Sequence, residues 1–359
     1  MREANARWLL ITFSVMTIAG LSLAQEPRLS GGRAITRSAA AGLEREFRAL
    51  SAGQEGPVWI GYSVPIIPGD HRMCCGDSDS SPCCGKCLLE GRAQISREVN
   101  PAGPVRLEAG GLHVLFRVEH RQVQKLRSFS ADCELDTGGM TLFWLTDVRS
   151  KDSTLFLASF IDSSPGEDVS KRRLTEGALA AIALHDDESA DRVLESLAGD
   201  MRSEFVREKV SFWLGAARGR RGYDVLRRMI HDDPSIHVRE QVVFALSLSH
   251  EAEAVETMIE TAKYDKSEQV RGQALFWLAQ KAGKKAGEAI TGAVENDPDT
   301  QVRKKAVFAL SQLPADDGIP RLIQLARTHK DRAVRKEAIF WLGQSRDPRA
   351  LSFFEEILR

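Results

Sequence analysis

Five Val-Arg dipeptides, Val206-Arg207, Val238-Arg239, Val270-Arg271, Val302-Arg303 and Val334-Arg335, follow one another at intervals of 32 residues with no insertion or deletion between them. Six residues after each Val stands a Phe (Phe212, Phe244, Phe276, Phe308, Phe340), and eight after it a Leu (Leu214, Leu246, Leu278, Leu310, Leu342). Three residues before each Val stands Ser203, Ser235, Ser267, Asp299 or Asp331. A unit of this length cannot bury its own apolar face, so a fixed period predicts a solenoid whose units stack into one continuous core.

Within a unit the periodicity is helical. Counting the Val as zero, apolar or small residues recur at plus four, five, seven and eight, a stripe on a helix of 3.6 residues per turn. The Ser or Asp at minus three is placed to accept hydrogen bonds from the free amides of the first turn. A second stripe follows, with Leu226, Met258, Ile290, Leu322 and Phe354 in register. Turns such as Asp232-Asp233-Pro234 and Asn296-Asp297-Pro298 separate one helix from the next. Projected backwards, the frame puts Leu174 in the place of the Val and lacks the Arg, as suits a terminal unit that meets a different neighbour. Six helix pairs are therefore expected over residues 170–359.

The frame D-x-x-x-x-V-R-x-x-A-hydrophobic-x-x-L resembles the HEAT repeats, in particular the short bacterial units called phycobilisome-lyase-like, and the resemblance covers about half of the chain. It implies an all-α solenoid and says almost nothing about activity. It also implies that Arg207, Arg239, Arg271, Arg303 and Arg335 form a structural ladder with Asp233, Asp265 and Asp297, which stand five residues before a Val. The deoxyhypusine hydroxylases, built from such repeats, bind iron through several His-Glu pairs. Here one such pair exists, His250-Glu251, at an inter-helix turn, so that iron site does not carry over.

Residues 1–24 read as a secretory signal, with Arg2 and Arg7 near the start, an apolar run from Trp8 to Leu23, and Ser22-Leu23-Ala24 at its end. Cleavage before Gln25 is expected, with an exported, periplasmic or secreted product and no membrane span after cleavage. The apolar run is shorter than the roughly 20 residues that cross a bilayer. With 43% hydrophobic and 28% charged residues and a formal charge of −1, the chain has no basic excess of the kind that binds nucleic acid.

Residues 25–37, rich in Gly, Ser and Arg, are expected to be a flexible linker. Residues 38–165 follow as a small α+β domain of mostly antiparallel strands with flanking helices. Its elements are a helix over Ala41 to Leu50, a half-buried strand through Val58, Ile60 and Tyr62, a hairpin of residues 112–119 and 122–129 turning at His120-Arg121, a strand over Met140 to Leu145, and a helix over Thr154 to Ile161 capped by Ser150.

All six cysteines lie in this half: Cys74, Cys75, Cys83, Cys84, Cys87 and Cys133. An even count in an exported chain favours disulfides, and six cysteines allow 15 pairings that the sequence cannot rank. A thiolate zinc site drawing on Cys74, Cys75, Cys83, Cys84 and Cys87, with or without His71, and a redox pair at Cys84-Gly-Lys-Cys87 are the alternatives. No metal or cofactor is otherwise called for.

The repeats leave one unusual surface. On a helical wheel the plus-six residue lies about 240° round from the Val, beside charged neighbours and off the main apolar stripe. It is Phe five times, followed by Trp213, Trp277 and Trp341 in three units. Either this aromatic row packs against the neighbouring unit, or it lines a concave groove for a protein or peptide partner. Two functions follow: a non-catalytic, protein-binding scaffold of the cell envelope, or a thiol-redox or metal-dependent enzyme seated in the Cys-rich domain.

Overall fold

The computed structural model describes residues 26–68, 86–90, 111–131, 133–162, 166 and 168–358. The expected signal at 1–24 and Cys74, Cys75, Cys83 and Cys84 lie outside these residues.

The N-terminal half is a six-stranded sheet of β1 (Leu29–Ser38), β2 (Val58–Val64), β3 (Lys86–Leu88), β4 (Leu112–Glu119), β5 (Gln122–Ser130) and β6 (Glu134–Thr146), in the order β1-β6-β2-β4-β5 with β3 also on β6. Helix α1 (Leu43–Ala52) links β1 to β2, and α2 (Ser150–Ala158) follows the last strand. The sheet is mixed rather than mostly antiparallel: β6 inserts between β1 and β2 and runs parallel to both, and to β3, whereas β2–β4 and β4–β5 are antiparallel. The antiparallel hairpin is local and its turn is legible, with His120 and Arg121 both at positive φ. The parallel pairs join residues 48 apart (Lys86 and Glu134) to 108 apart (Ser38 and Thr146), which no local periodicity reveals.

The stretch expected to be a flexible linker over 25–37 is largely edge strand β1, paired with β6 from Leu29 to Ser38. Main-chain hydrogen bonds hold it, and most of its side chains face water, so composition was a poor guide there. Strand β2 is buried on both faces rather than one, with Ile60 and Tyr62 on one side and Trp59 on the other. Helix α2 begins at Ser150 with Arg149 in the capping position, so Ser150 is its first residue and not its cap.

From Val169 onward the chain is helical: α3 (Val169–Leu184), α4 (Glu188–Leu197), α5 (Glu204–Ala217), α6 (Gly219–Asp232), α7 (Ile236–Leu248), α8 (Glu253–Tyr264), α9 (Glu268–Asn296), α10 (Thr300–Ser311), α11 (Ala315–Thr328), α12 (Arg332–Gln344) and α13 (Pro348–Ile357). Helix α9 is two helices broken at Gly283, whose φ of 46° and ψ of −122° leave the helical region. Gly219 stands at the same place in its unit with φ 47°, so both turns use a left-handed residue that glycine adopts without steric cost. Six helix pairs result. Ser203, Ser235, Ser267, Asp299 and Asp331 each accept a hydrogen bond from a first-turn amide of the helix that follows.

One apolar core runs from the sheet into the solenoid. Phe47 of α1 meets Phe116 and Phe156 at centroid distances of 4.9 and 4.8 Å, and the same cluster continues through Leu179 and Val206 to Phe353. The junction is also hydrogen-bonded through its main chain: the Ile67 amide donates to the Leu184 carbonyl and the Asp186 amide to that of Pro65, at 2.9 and 3.1 Å. The opposite face of the sheet has its own cluster around Trp59, Leu115 and Trp144.

Candidate functional site

The Arg of the Val-Arg pair is a bracket between loops. Arg207 grips Asp233 with two hydrogen bonds of 2.7 and 3.0 Å, Arg239 grips Asp265 at 2.9 and 3.1 Å, and Arg271 grips Asp297 at 2.8 and 3.0 Å. Nη1 of Arg239, Arg271 and Arg303 donates to the carbonyl of the Asp of the preceding rung (Asp233, Asp265 and Asp297) at 2.7–2.9 Å. Each Asp also accepts from the amide of the capping residue two positions on. Arg207, Arg239, Arg271, Asp233 and Asp297 are buried and Asp265 and Arg303 half-buried, and the Asp297 carboxylate raises the Arg271 guanidinium above its ordinary value. The ladder changes at its C-terminal end. His329 replaces the Asp, Arg303 reaches Asp331 instead at 2.8 Å and holds that carboxyl below its usual range, and among the described residues Arg335 reaches only the carbonyls of His329 and Lys330.

The aromatic row is one unbroken train of ring contacts. It runs Trp213, Phe212, Phe244, Trp277, Phe276, Phe308, Trp341, Phe340, with centroid separations from 4.7 to 6.2 Å. Phe212 stacks on Phe244, and Phe276 on Phe308, from one unit to the next. Phe244, Phe276 and Phe308 are half-buried, while Phe212 and Phe340 at the two ends are exposed. The row is thus both packing and surface: each ring leans on its neighbour and keeps part of itself open to water. The Trp341 indole donates to Glu337 at 3.0 Å, whereas that of Trp277 is buried without an acceptor among the described residues. At the N-terminal end of the row lies a cleft of about 220 Å³ lined by Glu176, Glu208, Lys209, Phe212, Trp213 and Phe244, with Ser211 and Gln241.

A further periodic position sets how closely the two helices of a unit cross. Sixteen residues after each Val position stands Ala190, Gly222, Ala254, Ala286, Gly318 or Ala350, all buried where the second helix crosses the first. At Gly222 and Gly318 a methyl group would lie 2.0 and 2.4 Å from the carbonyl oxygens of Leu214 and Leu310. Conversely, a buried polar relay at the sheet–solenoid junction joins residues with no common spacing. Ser153 Oγ lies 2.8 Å from both the Tyr62 hydroxyl and His185 Nε2, and His185 Nδ1 lies 2.7 Å from the Ala181 carbonyl oxygen. That carbonyl can only accept, so Nδ1 carries the proton and Nε2 accepts from Ser153. Burial pushes His185 down to about 4 and Tyr62 upward. All three side chains are closed to solvent, so the relay orients the junction and offers no access to a substrate.

Cys87, on β3, and Cys133, just before β6, form a disulfide, with Cα atoms 6.0 Å apart and both side chains buried. They are therefore not available as thiolates. Among the described residues no helix is long and apolar enough to cross a membrane.

No curated protein sequence matches the chain. Among solved structures it is similar to YibA of Escherichia coli (21% identity over 56% of this chain and 76% of that one, TM-score 0.37). It is also similar to the CpcE–CpcF complex of the phycocyanin lyase of Nostoc sp. PCC7120 (23% identity, 44% and 100%, TM-score 0.33) and to human deoxyhypusine hydroxylase (17% identity, 58% and 90%, TM-score 0.26). Residues 287–359 match the family model of HEAT repeats, and the same 32-residue frame runs back from them to Leu174, so the helical half of this chain is a HEAT-like solenoid.

Proposed function

We propose that this protein is a non-catalytic adaptor that acts outside the cytoplasm and holds a protein or peptide partner on the aromatic row carried by the Val-Arg helices of its HEAT array. The observation that carries this reading is the train of eight aromatic rings, part packed and part open to water, along the helices α5, α7, α9, α10 and α12. A few large aromatic anchors set among polar side chains usually dominate a protein interface. The Val-Arg helices of successive units pack against one another much more closely than the second helices do, which supports placing their layer on the inner side of the curve. Gly215 lets α5 and α7 approach so closely that a methyl group there would sit 2.1 Å from the Ala245 carbonyl oxygen. Export is supported by the sequence of residues 1–24 and by the Cys87–Cys133 disulfide, since such bonds persist in oxidising compartments.

The test is site-specific photo-crosslinking in the native cell. A crosslinker at Phe212 or Phe340 should capture a discrete partner, and Phe276→Ala should weaken that capture while the protein stays folded. Crosslinks arising only from exposed sites on the second helices, such as Arg228, would move the partner to the other layer and overturn the reading.

A further inference from the structure

The residue two places after each Val position lies one helical turn before the Phe, on the same face. Along the array this row reads Glu176, Glu208, Glu240, Gly272, Lys304, Lys336. Three acids, a glycine and two bases in strict order run beside the aromatic train, so the face is electrically bipolar. The acidic end is only partly neutralised from within: Lys209 lies 3.5 Å from Glu176 and 3.2 Å from Glu208, and His237 lies 3.5 Å from Glu208 and 4.0 Å from Glu240. At the basic end Lys304 and Lys336 have no carboxylate partner among the described residues, and Lys305 adds a third positive charge whose stem lies across Gly272.

We propose that this face binds an extended peptide segment of a partner protein in a fixed orientation, its cationic end in the cleft at Glu176 and Glu208 and its anionic end at Lys304 and Lys336. The inference rests on the aromatic face being the partner surface and adds what that partner must look like. Carboxylates set beside the Phe212, Trp213 and Phe244 rings make the cleft a site for a Lys or Arg side chain, attracted both by charge and by the ring faces. The middle of the segment carries apolar side chains for the half-open rings of Phe244, Phe276 and Phe308. Five helix-to-helix steps of roughly 8–10 Å separate the ends of the charged row, about 45 Å in all. An extended chain at roughly 3.3 Å per residue covers that distance in about 14 residues. Opposed charges at the two ends fix register and reject the segment whose charges are misplaced.

The test uses synthetic 14-residue peptides with a common apolar centre and four kinds of ends: basic at one and acidic at the other, basic at both, acidic at both, and one charge of each sign at each end. Fluorescence anisotropy with the folded protein at low salt should give the bipolar peptide about tenfold tighter binding than the mixed-end control. A Glu176→Lys/Glu208→Lys protein, checked for an unchanged melt, should switch its preference to the peptide that is acidic at both ends. Glu176→Gln/Glu208→Gln should merely lose the preference for a basic end. The same ranking in parent and charge-reversed protein, or no binding by any peptide, overturns the inference. If all four peptides bind alike and Phe276→Ala releases them all, the aromatic face stands as the partner surface and its polarity plays no part.

Discussion

The two ends of the array are finished in opposite ways. At the N-terminal end, α3 packs under β5, where Gly177 brings it so close that a methyl group would lie 3.0 Å from the Leu126 carbonyl oxygen. Leu179, five places into its unit, is fully buried. At the C-terminal end the corresponding residue, Ile339, is 37% exposed, and Phe340, Leu351, Ile357 and Leu358 are exposed with it. Interior units bury the residues at the places of Ile339, Ile357 and Leu358, with Val243, Met229 and Ile230 as examples. The sheet is therefore the N-terminal cap of the solenoid, covering the side of the first unit that a preceding unit covers in every other, and the last unit keeps stacking residues that nothing among the described residues covers.

The ladder gives the sharpest way to break that contrast. Arg239→Ala leaves the Asp265 carboxylate buried and uncompensated, and should cost about 3–5 kcal/mol in urea melts. Arg335→Ala removes only hydrogen bonds to two carbonyls and should cost about 1 kcal/mol or less. Similar losses at the two positions would mean that the ladder is not what holds the interior units in line.

A matched pair of truncations comes next. Leu179→Ala and Ile339→Ala delete side chains from the same place in the first and last units. The first should cost about 2–5 kcal/mol, within the range for a buried leucine, and the second a fraction of that. A large loss at Ile339 would show that the C-terminal face is covered in solution.

How far the sequence could be read follows from the same contrast. The solenoid was legible because each rung repeats one solution: Val206 to Val334 bury the same stripe, Ser203 to Asp331 cap the same turn, and the Phe row keeps one helical position. The sheet was not, because β6 finds β1 and β2 across gaps of some hundred residues, and β1 joins it through main-chain bonds that need no apolar alternation. The site divides likewise. The aromatic row was visible at once, but whether it faced core or water was a tertiary question, and the structure answers with a graded burial that neither alternative anticipated. The charged row beside it and the small residue at plus sixteen were equally periodic. Tyr62, Ser153 and His185 converge only in three dimensions.

That junction can be titrated. His185 ordinarily protonates near 6.5 and here near 4, because burial penalises its charged form. Above pH 6.5 both folded and unfolded chains hold it neutral. Between 6.5 and 4 the unfolded chain takes up the proton and the folded one does not, so stability falls as the pH falls and levels off below 4. The full loss is on the order of 3 kcal/mol. His185→Gln should flatten this part of the pH profile in denaturant melts. An unchanged slope would place the titration elsewhere in the chain.

The smallest effect separates the two ends by sign. Gly222 lies where α6 crosses α5, and Gly222→Ala forces a methyl group against the Leu214 carbonyl oxygen, 2.0 Å away before relaxation. Backbone on backbone cannot rotate aside, so the cost should be about 1–3 kcal/mol. Gly343 lies in α12 of the uncovered last unit, where the nearest atom to an added methyl group is Phe354 Cζ at 3.9 Å, an ordinary contact. There alanine is the better helix former, and Gly343→Ala should raise stability by roughly 0.5–1 kcal/mol. Thermal melts of the two variants should therefore move in opposite directions. A Gly343→Ala protein that melts earlier than the parent would mean that another surface already packs against that helix face, and that the last unit is capped after all.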